Sequence, residues 1–464
     1  MEFLRQAPKP LLILLSFGLI LRLLLAYFIL PGSGFPNDVH WFSQWGLTLE
    51  KVGPSHFYAA SPDTDYPPGY LYILWFVGSI SQALASATGT DVQSISMSLV
   101  KLPPMLLDIG DALLLYHVAQ RLSVDPKTSA SAGVTAAAIY LFNPVSWYDS
   151  AIWGQADSAG VFVALLGMIA LLRWPPEIAA ALSVVCALVK PQFGVVMMPL
   201  VGVVLFRRHL LPSHDANLLG TQSHWCSGNG PMRLLTSAAI ALVVFYALVI
   251  PFDLNLTKFL DRMESTANNY PFLSVNAFNP WALVTSGADH SLMLAGIDHW
   301  ARDDVALVGE LTGVSIGTAL LIAGFILGTL RLSWRIDNYS IMLVGAYLCL
   351  CFFILPTRVH ERYVFEAFAF LSVLAAFDRR WFWATLLLSI GSLMNFQAVL
   401  SVDGTANLVR LPLGSFLRSS QGIFTGIALN CAVFLFAFWR LRPKVHGVYD
   451  LSQQSNVTAG VGGL

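Results

Sequence analysis

A single carboxylate lies among aromatic residues in the segment FPNDVHWFSQWG, directly after the first long apolar run of the chain. This carboxylate belongs to Asp38, and Trp41, Trp45 and Leu49 follow it at helical spacing. A carboxylate beside lipid costs free energy and is usually kept for function, and it can act as a general base toward a hydroxyl group. The alternative is structural, because Asn37 or Asp38 would suit the N-cap of the following helix. The aromatic stripe predicts a helix that lies on the bilayer surface.

Two other segments place carboxylates beside aromatic residues. In DTDYPPGYLY, Asp63 and Asp65 precede a double proline, which favours a helix that begins there, so helix capping is again the alternative. In NPVSWYDSAIWGQADSAG, the tryptophans and the tyrosine are typical of a membrane interface. That role does not explain Asp149, Gln155 and Asp157, which are the polar residues of the same segment.

Cations occur in two segments that also suit a polar site. Lys190 lies between two short apolar stretches in ALVKPQFG, and PTRVHERYVFEAF contains Arg358, His360 and Arg362. Two arginines and a histidine can clamp a phosphate, because the planar guanidinium matches phosphate oxygens. Glu361 could then hold one arginine in place. The alternatives are snorkelling of Lys190 toward lipid headgroups and, for the second segment, a simple loop salt bridge.

Membrane helices are the elements that must position these side chains. Of the 464 residues, 56% are hydrophobic and 11% are charged, against about 25% charged in soluble domains. We therefore predict an all-α polytopic membrane protein with about twelve transmembrane helices, and with interfacial helices in the first outer loop. The net charge of −1 gives no basic bias toward nucleic acid. The five cysteines show no metal-binding or redox spacing.

Twelve apolar segments are candidate spans. The first is interpreted as a retained helix rather than a signal peptide, because it is long and lacks a small-residue cleavage site. The candidate spans are 11–30, 99–121, 130–147, 156–173, 177–190, 192–207, 233–252, 306–330, 338–356, 361–377, 381–400 and 421–440.

Lysine and arginine clusters in the loops set the predicted orientation. If the twelve spans alternate, all the basic clusters fall on one side, which the positive-inside rule assigns to the cytoplasm. This scheme requires that 66–87 does not cross the membrane fully. The polar segments described above then share the opposite side, within 31–65, 148–155, 253–305, 356–362 and 401–420.

Two transmembrane modules follow from this organisation. The first, 1–232, carries the first outer loop at 31–65, and the second, 233–464, carries the long outer loop at 253–305 and the HERY segment. A carboxylate base, cations for a phosphate and aromatic side chains suited to sugar faces then lie together beside lipid. This combination favours transfer of a sugar from a lipid-linked phosphosugar, and the chain has no glycine-rich nucleotide-binding loop.

The motifs, in their order along the chain, resemble those of the GT-C superfamily of membrane glycosyltransferases. They are the Asp38-to-Trp45 spacing, DYPPGYLY, NPVSWYDSAIWGQADS, KPQ and HERY. WGQADS, SVNAFNPWAL and VHERY are most similar to the bacterial membrane proteins related to the GPI mannosyltransferase that adds the second mannose. DYPPGY and the Asp38-to-Trp45 spacing are also similar to the dolichyl-phosphate-glucose-dependent glucosyltransferases. The resemblance runs from about residue 11 to about residue 400.

The resemblance implies a polyprenyl-phosphate-sugar donor, an inverting mechanism and an extracytoplasmic active site. It also implies an essential aspartate in the first outer loop, which corresponds to Asp38 and would deprotonate the acceptor hydroxyl. Lys190, His360 and Arg362 would bind the donor phosphate and stabilise its growing charge. The residues expected to bind the sugar or the acceptor are Asp65, Tyr66, Trp153, Gln155, Asp157 and Asn276.

The same resemblance sets expectations about metals, partners and location. Some family members carry two adjacent acids where this chain has Asn37 and Asp38, so we expect no metal site and no cofactor, and a divalent metal is not favoured. The expected partners are the lipid-linked donor, a glycolipid or glycan acceptor and membrane lipids. The bacterial character of the motifs favours an inner or plasma membrane, with the endoplasmic reticulum as the location in a eukaryote.

Two other classes of protein share parts of this pattern. A polytopic transporter would also have charges within the membrane and broken helices, but its sequence often contains two similar halves, and no such repeat is evident here. A non-catalytic subunit of a glycan or polymer export system would carry the carboxylates incidentally. A variant in which Asp38 is replaced by alanine separates these classes, because only the enzyme would lose sugar transfer.

Overall fold

The computed structural model describes residues 8–123, 125–211, 228, 230–286, 289–290, 301–400 and 414–442. Almost all of the described secondary structure is helical, and the exceptions are two short antiparallel strand pairs. The strands are β1 (Thr285–Ser286), β2 (Asp289–His290), β3 (Ala306–Val308) and β4 (Leu311–Thr312). Most of the predicted outer segment 401–420 lies outside the described residues.

The first half of the chain contains eleven described α-helices, and π-helical turns extend two of them. They are α1 (Lys9–Leu23, continued by Leu24–Ile29), α2 (Pro36–Val52), α3 (Pro54–Ala60), α4 (Pro68–Thr88), α5 (Val92–Leu99), α6 (Leu102–Leu122), α7 (Pro126–Leu141), α8 (Pro144–Trp147, continued by Tyr148–Trp153), α9 (Asp157–Arg173), α10 (Pro176–Val189) and α11 (Pro191–Leu210).

The second half contains eight described α-helices and two short 3₁₀ turns. They are α12 (Met232–Val249, continued by the 3₁₀ turn Ile250–Phe252), α13 (Leu256–Asn268), the 3₁₀ turn Pro280–Leu283, α14 (Gly313–Trp334), α15 (Asn338–Ile354), α16 (Ala367–Phe377), α17 (Arg379–Leu400), α18 (Gly414–Leu417) and α19 (Ser420–Arg440).

The predicted all-α polytopic membrane architecture is confirmed. Seven helices of the described chain are long and apolar enough to cross a membrane, namely α1, α4, α11, α12, α14, α17 and α19 with their extensions. Shorter apolar helices are α10, α15 and α16. Each of the twelve candidate spans overlaps a helix. Two helices begin later than predicted, because the β3–β4 hairpin precedes α14 and the HERY segment before α16 forms turns.

Helices α1 and α6 form an antiparallel pair. The segment that connects them leaves α1 and enters α6 at the same end of the pair. The two helices pack antiparallel, since Arg22 Nε donates to Asp108 Oδ2 at 2.8 Å and Tyr27 Oη donates to the carbonyl of Ser98 at 2.9 Å. The N-terminal half of α1 packs on the C-terminal half of α6. Although α4 is long and apolar enough to span, the segment that contains it therefore makes no net crossing.

A buried charge network holds α1 against α6 and α7. Besides Asp108, the guanidinium of Arg22 binds the carbonyl of Leu141 and the hydroxyl of Ser146, at 3.1 and 3.0 Å. Tyr140 Oη lies within hydrogen-bond distance of the carboxylates of Asp108 and Asp111. A buried ion pair leaves an uncompensated charge when one partner is removed. The network therefore fixes the position of the first span.

The aromatic stripe of α2 faces protein rather than the bilayer, contrary to the prediction. Trp45 and Leu49 are buried, and only Trp41 is exposed, at 46%. The reason is close packing on α4, because Gly46 lies so near that a Cβ atom there would be 2.7 Å from the carbonyl oxygen of Leu74. The stripe therefore forms part of a core beneath the first outer loop.

One apolar core runs through helices from both predicted modules. It contains Phe193 and Met197 of α11 together with Phe353 of α15 and Phe370 of α16. Helices from both sides of residue 232 share this core. The predicted boundary between the two transmembrane modules, at 232 and 233, stays a prediction.

Candidate functional site

Asp38 lies in the first turn of α2, and its carboxylate is held by the turn that follows α8. Oδ2 accepts hydrogen bonds from Trp153 Nε1 at 2.8 Å and from Gln155 Nε2 at 2.6 Å. Oδ1 makes no hydrogen bond within the described part of the chain. Oδ2 is therefore fixed by its two donors. The side chain is 18% exposed, and Oδ1 is the oxygen that remains available to a substrate.

The capping alternatives are wrong for this segment and for DTDYPPGYLY. The N-cap of α2 is Phe35 and that of α4 is Pro67, and neither makes a side-chain cap hydrogen bond. Asp157 is the first residue of α9, and its carboxylate binds Lys190 Nζ at 2.7 Å. The carboxylates of Asp38 and Asp157 are therefore committed to tertiary contacts.

Tyr66, Lys190 and Asp157 form a second row of polar residues, which holds Gln155 in place. Gln155 Oε1 accepts from Lys190 Nζ at 3.1 Å and from Tyr66 Oη at 3.2 Å, while its amide nitrogen serves Asp38. Asp157 completes the row through its ion pair with Lys190, and both of these side chains are buried. Lys190 thus lies in the protein interior, away from lipid headgroups, and it reaches Asp38 through Gln155.

Arg362 brings a cation to the same carboxylate. Its Nη1 is 3.8 Å from Asp38 Oδ2 and donates to Glu361 Oε1 at 2.7 Å, and its guanidinium lies 5.8 Å from the centre of the Trp153 ring. The Nε atom has no hydrogen-bond partner within the described residues and is buried. The arginine therefore has hydrogen-bond donor capacity that is unused beside Asp38.

Trp153 and Tyr148 of the 143–160 segment are buried, contrary to their predicted place at the membrane interface, whereas Trp147 is half-buried. Trp153 has no exposed surface, and its ring stacks on Phe35 at 5.3 Å. Tyr148 is also buried and donates to Gln397 Oε1 at 2.6 Å. Their rings form the wall behind Asp38.

His360 lies between two aromatic rings beside this site. The ring centre of Tyr270 is 4.9 Å away and that of Tyr363 is 5.2 Å away. Burial, assisted by the charges of Arg362 and Lys190, holds the pKa of His360 well below its usual value. The imidazole is therefore neutral at physiological pH and offers one N–H donor rather than a positive charge.

The pH dependence of activity tests this protonation state. Because the imidazole stays neutral between pH 6.5 and 8, we expect no inflection from His360 in that range. His360→Asn should lower kcat/KM and leave the shape of the pH profile unchanged. A wild-type inflection near pH 6.5 that disappears in the variant would contradict a neutral imidazole.

Asn276 meets the HERY segment through backbone contacts. The amide of Val275 donates to the carbonyl of Val359 at 3.0 Å, and His360 pairs with both Val275 and Asn276. Asn276 adopts a φ of 63°, and its carbonyl accepts from Asn395 at 2.6 Å. The described part of the long outer loop is thus joined to the segment that carries His360 and Arg362.

Asp65 lies between the site and the long outer loop at 253–305. Burial and the charge of Asp38 raise the pKa of Asp65, while Arg362 and Lys190 act in the opposite direction. Thr266 donates to the carbonyl of Asp65 at 3.3 Å. The predicted site residues of the first loop therefore share one electrostatic environment.

The predicted phosphate clamp of two arginines is wrong for Arg358. Its guanidinium binds Asp303 at 2.7 and 3.1 Å, and it also donates to the carbonyl of Ala267 and to Asn268. A φ of 63° turns the backbone at this residue. Arg358 therefore joins two loops through a salt bridge with Asp303, as in the loop salt-bridge alternative for this segment.

Lys101, which was not among the predicted site residues, joins the two loops that carry the site. Its ammonium binds the carbonyl and the hydroxyl of Ser33 and the carbonyls of Ala151 and Ile152. A lone lysine before an apolar run is usual at a membrane interface, so the position of Lys101 in the sequence carried no specific signal of this role.

The contacts of Lys101 lead to a testable expectation. Lys101→Met should lower kcat by about ten- to a hundredfold, because small displacements of a base have effects of that size, while the affinity for the donor stays close to wild type. Lys101→Arg should restore part of the rate. A wild-type rate in Lys101→Met would contradict this role of Lys101.

No group of three or more histidine, cysteine, aspartate or glutamate residues in the described chain is placed to hold a metal ion.

Comparison with solved structures finds a structural similarity to a known protein. No protein-family profile and no curated protein matches the sequence. The chain is similar to the crystal structure of the Archaeoglobus fulgidus oligosaccharyltransferase tethered with an acceptor peptide containing the NVT sequon, with a TM-score of 0.37 and 13% sequence identity. The match covers 92% of this chain and 55% of that chain, so it spans about half of the length of that protein.

Proposed function

We propose that this protein is a membrane glycosyltransferase of the GT-C type. It transfers a hexose, with mannose favoured over glucose, from a polyprenyl-phosphate-linked donor to a glycolipid or glycan acceptor, with inversion. The observation that carries the proposal is the pairing of a partly exposed carboxylate, Asp38, with a partly exposed guanidinium, Arg362, at 3.8 Å. A base and an anion-binding group in contact are what displacement of a phosphate by a hydroxyl requires.

The reaction proceeds by a single displacement. Asp38 Oδ1 takes the proton of the acceptor hydroxyl as its oxygen forms a bond to the anomeric carbon of the donor. The bond between that carbon and the phosphate oxygen breaks, and the electron pair leaves with the lipid phosphate. Attack from the face opposite the phosphate inverts the anomeric centre, as in inverting glycosidases, where a carboxylate activates the nucleophile.

Binding of the donor readies the base. In the free protein, Arg362 neutralises Asp38 across 3.8 Å. A donor phosphate offers the guanidinium a stronger, bidentate partner, so the carboxylate of Asp38 is released from Arg362 and is left to accept the proton of the acceptor hydroxyl. Glu361 keeps Arg362 in place during this exchange, and His360 donates a neutral N–H to the phosphate.

The second row orients the base. Trp153 and Gln155 fix Oδ2 of Asp38 and leave Oδ1 for the acceptor hydroxyl. In this proposal Lys190 acts by holding Gln155, because Asp157 already neutralises its ammonium. Asp157 is thus a positioning residue, and it contacts the substrate through no atom of its own.

The distribution of arginines supports an extracytoplasmic site. Helices α6, α9 and α11 all begin beside the site, and they contain 17 to 21 residues, so their far ends lie about 25 to 32 Å away. Basic residues occupy the last turn of each, namely Arg121, Arg173, Arg207 and Arg208. The positive-inside rule places such ends in the cytoplasm and leaves the site on the other side.

Profiling of lipids and glycans in a deletion strain tests the function. We expect a product that is one hexose shorter than in the parent strain, and restoration of the full product by the wild-type gene. Membranes of the complemented strain should transfer label from a polyprenyl-phosphate mannose donor. An unchanged glycan and lipid profile, together with no transfer of label from either a mannose or a glucose donor, would refute the proposal.

A further inference from the structure

A polar cleft of about 610 Å³ opens beside the site, between the first outer loop at 31–65 and the long outer loop at 253–305. Helix α3 and residues 62–64 form one wall, helix α13 forms the other, and Phe252 and Leu254 lie at the base. Ligand-binding clefts of proteins commonly have volumes of about 300 to 1,000 Å³. The cleft is therefore large enough for a ligand of several rings.

Helix α13 presents a regular polar stripe to this cleft. Its lining residues recur at spacings of three and four, which places them on one face of a helix, and they are Lys258, Asp261, Arg262, Ser265 and Thr266. Leu256 and Leu260 are 45% and 55% exposed. A helix at a membrane interface turns its apolar edge toward lipid, so the polar face is left to line a water-filled space.

The two walls are fastened together, which gives the cleft a fixed shape. Arg262 Nη1 donates to the carbonyls of Thr64 and Pro62, at 2.7 and 3.2 Å. The same guanidinium lies 4.0 Å from the centre of the Tyr58 ring.

Both walls continue directly into the catalytic site. Thr64 lines the cleft and is followed by Asp65, whose pKa Asp38 helps to raise. On the other wall, Asn269 lines the cleft and is followed by Tyr270, whose ring lies against His360. A ligand in the cleft can therefore extend one of its ends toward Asp38.

The charges of the cleft select against an anion. Lys258 pairs with Asp253 at 2.8 Å, and Arg262 is bound to backbone carbonyls. Asp63 and Asp261 line the cleft, and neither forms an ion pair within the described residues. The lining thus offers carboxylate acceptors and no uncommitted cation among the described side chains. Carboxylates that face water are strong acceptors for pairs of hydroxyl groups.

We infer that this cleft binds the acceptor, and that it recognises a neutral oligosaccharide portion through its hydroxyl groups. The inference rests on the proposed function, because it assigns the donor phosphate to Arg362 and the acceptor to the cleft. It adds that acceptor recognition is made by sugar units beyond the reacting hydroxyl and that the lipid or protein carrier of the glycan is not the recognised part.

Binding of neutral trisaccharides tests the inference without any transfer reaction. Saturation-transfer NMR on the purified full chain would use α-mannotriose and maltotriose as probes, with mannose 6-phosphate as the anionic comparison. We expect at least one trisaccharide to bind, with at least tenfold weaker binding in the double variant Asp63→Ala/Asp261→Ala. The matched control is Glu264→Ala, an exposed acid on α13 that does not line the cleft, and it should bind as wild type.

Further outcomes each decide the question. Ser265→Trp, which fills the cleft without changing its charge, should also abolish binding, and it guards against a folding defect in the double variant. Binding of neither trisaccharide, preference for the phosphorylated sugar, or equal binding by wild type and both cleft variants would overturn the inference. Donor binding is measured separately with a polyprenyl-phosphate mannose, and a loss confined to that measurement would count against the proposed function and not against the cleft.

Discussion

Asp38→Asn is expected to lower the rate of hexose transfer by about 10²- to 10⁴-fold, the range that loss of a positioned general base produces. The asparagine keeps the size of the side chain, and its oxygen can still accept from Trp153 or Gln155. The affinity for the lipid-linked donor should rise, because Arg362 is no longer neutralised at 3.8 Å. Single-turnover transfer assays and equilibrium donor binding measure the two effects.

Glu50→Gln is the matched control for this prediction. It makes the same change of charge on the same helix, at an exposed position, and it should transfer sugar at the wild-type rate. If Asp38→Asn retained more than a tenth of the wild-type rate, Asp38 would not be the base.

Arg362→Gln is expected to lower kcat/KM by about 10²- to 10³-fold, since a donor aimed at developing negative charge contributes that much. Arg362→Lys should recover little of this loss. A lysine cannot contact both Glu361 and a phosphate with the fixed geometry of a guanidinium. Donor binding and transfer should both weaken, and this distinguishes Arg362 from Asp38, whose loss should strengthen donor binding.

Arg302→Gln controls for the general effect of removing an arginine. Arg302 pairs with Asp304 at an exposed position in the long outer loop at 253–305, so its replacement should change kcat/KM by less than twofold. Wild-type donor affinity in Arg362→Gln would show that the phosphate binds elsewhere.

Much of the fold followed from the apolar runs, because a span must satisfy its backbone as a helix and keep apolar side chains toward lipid. The start of α14 could not be predicted in this way, since the β3–β4 hairpin continues the apolar run. The face of α2 was misjudged for a related reason. Trp45 and Leu49 have the same spacing whether they meet lipid or α4, and only Gly46, which allows the close approach, carries a local signal.

The residues gathered at the site were largely predictable, whereas their partners were not. Unusual carboxylates and cations beside the membrane pointed to Asp38, Asp157, Lys190 and Arg362, because burial of such groups needs compensation. Which group compensates which depends on contacts across more than a hundred positions, as between Asp38 and Gln155. Arg358 shows the limit, since its partner Asp303 lies 55 positions away.

The ion pair between Arg22 and Asp108 has a consequence for biogenesis. An arginine near the middle of a hydrophobic helix costs about 2.5 to 3.5 kcal/mol when it enters lipid alone, and the partner that relieves this cost is synthesised 86 residues later. The nascent first span is therefore poorly suited to diffuse away from the insertion machinery by itself. It should be retained there until the helix with Asp108 emerges, so that the two enter the bilayer as a pair.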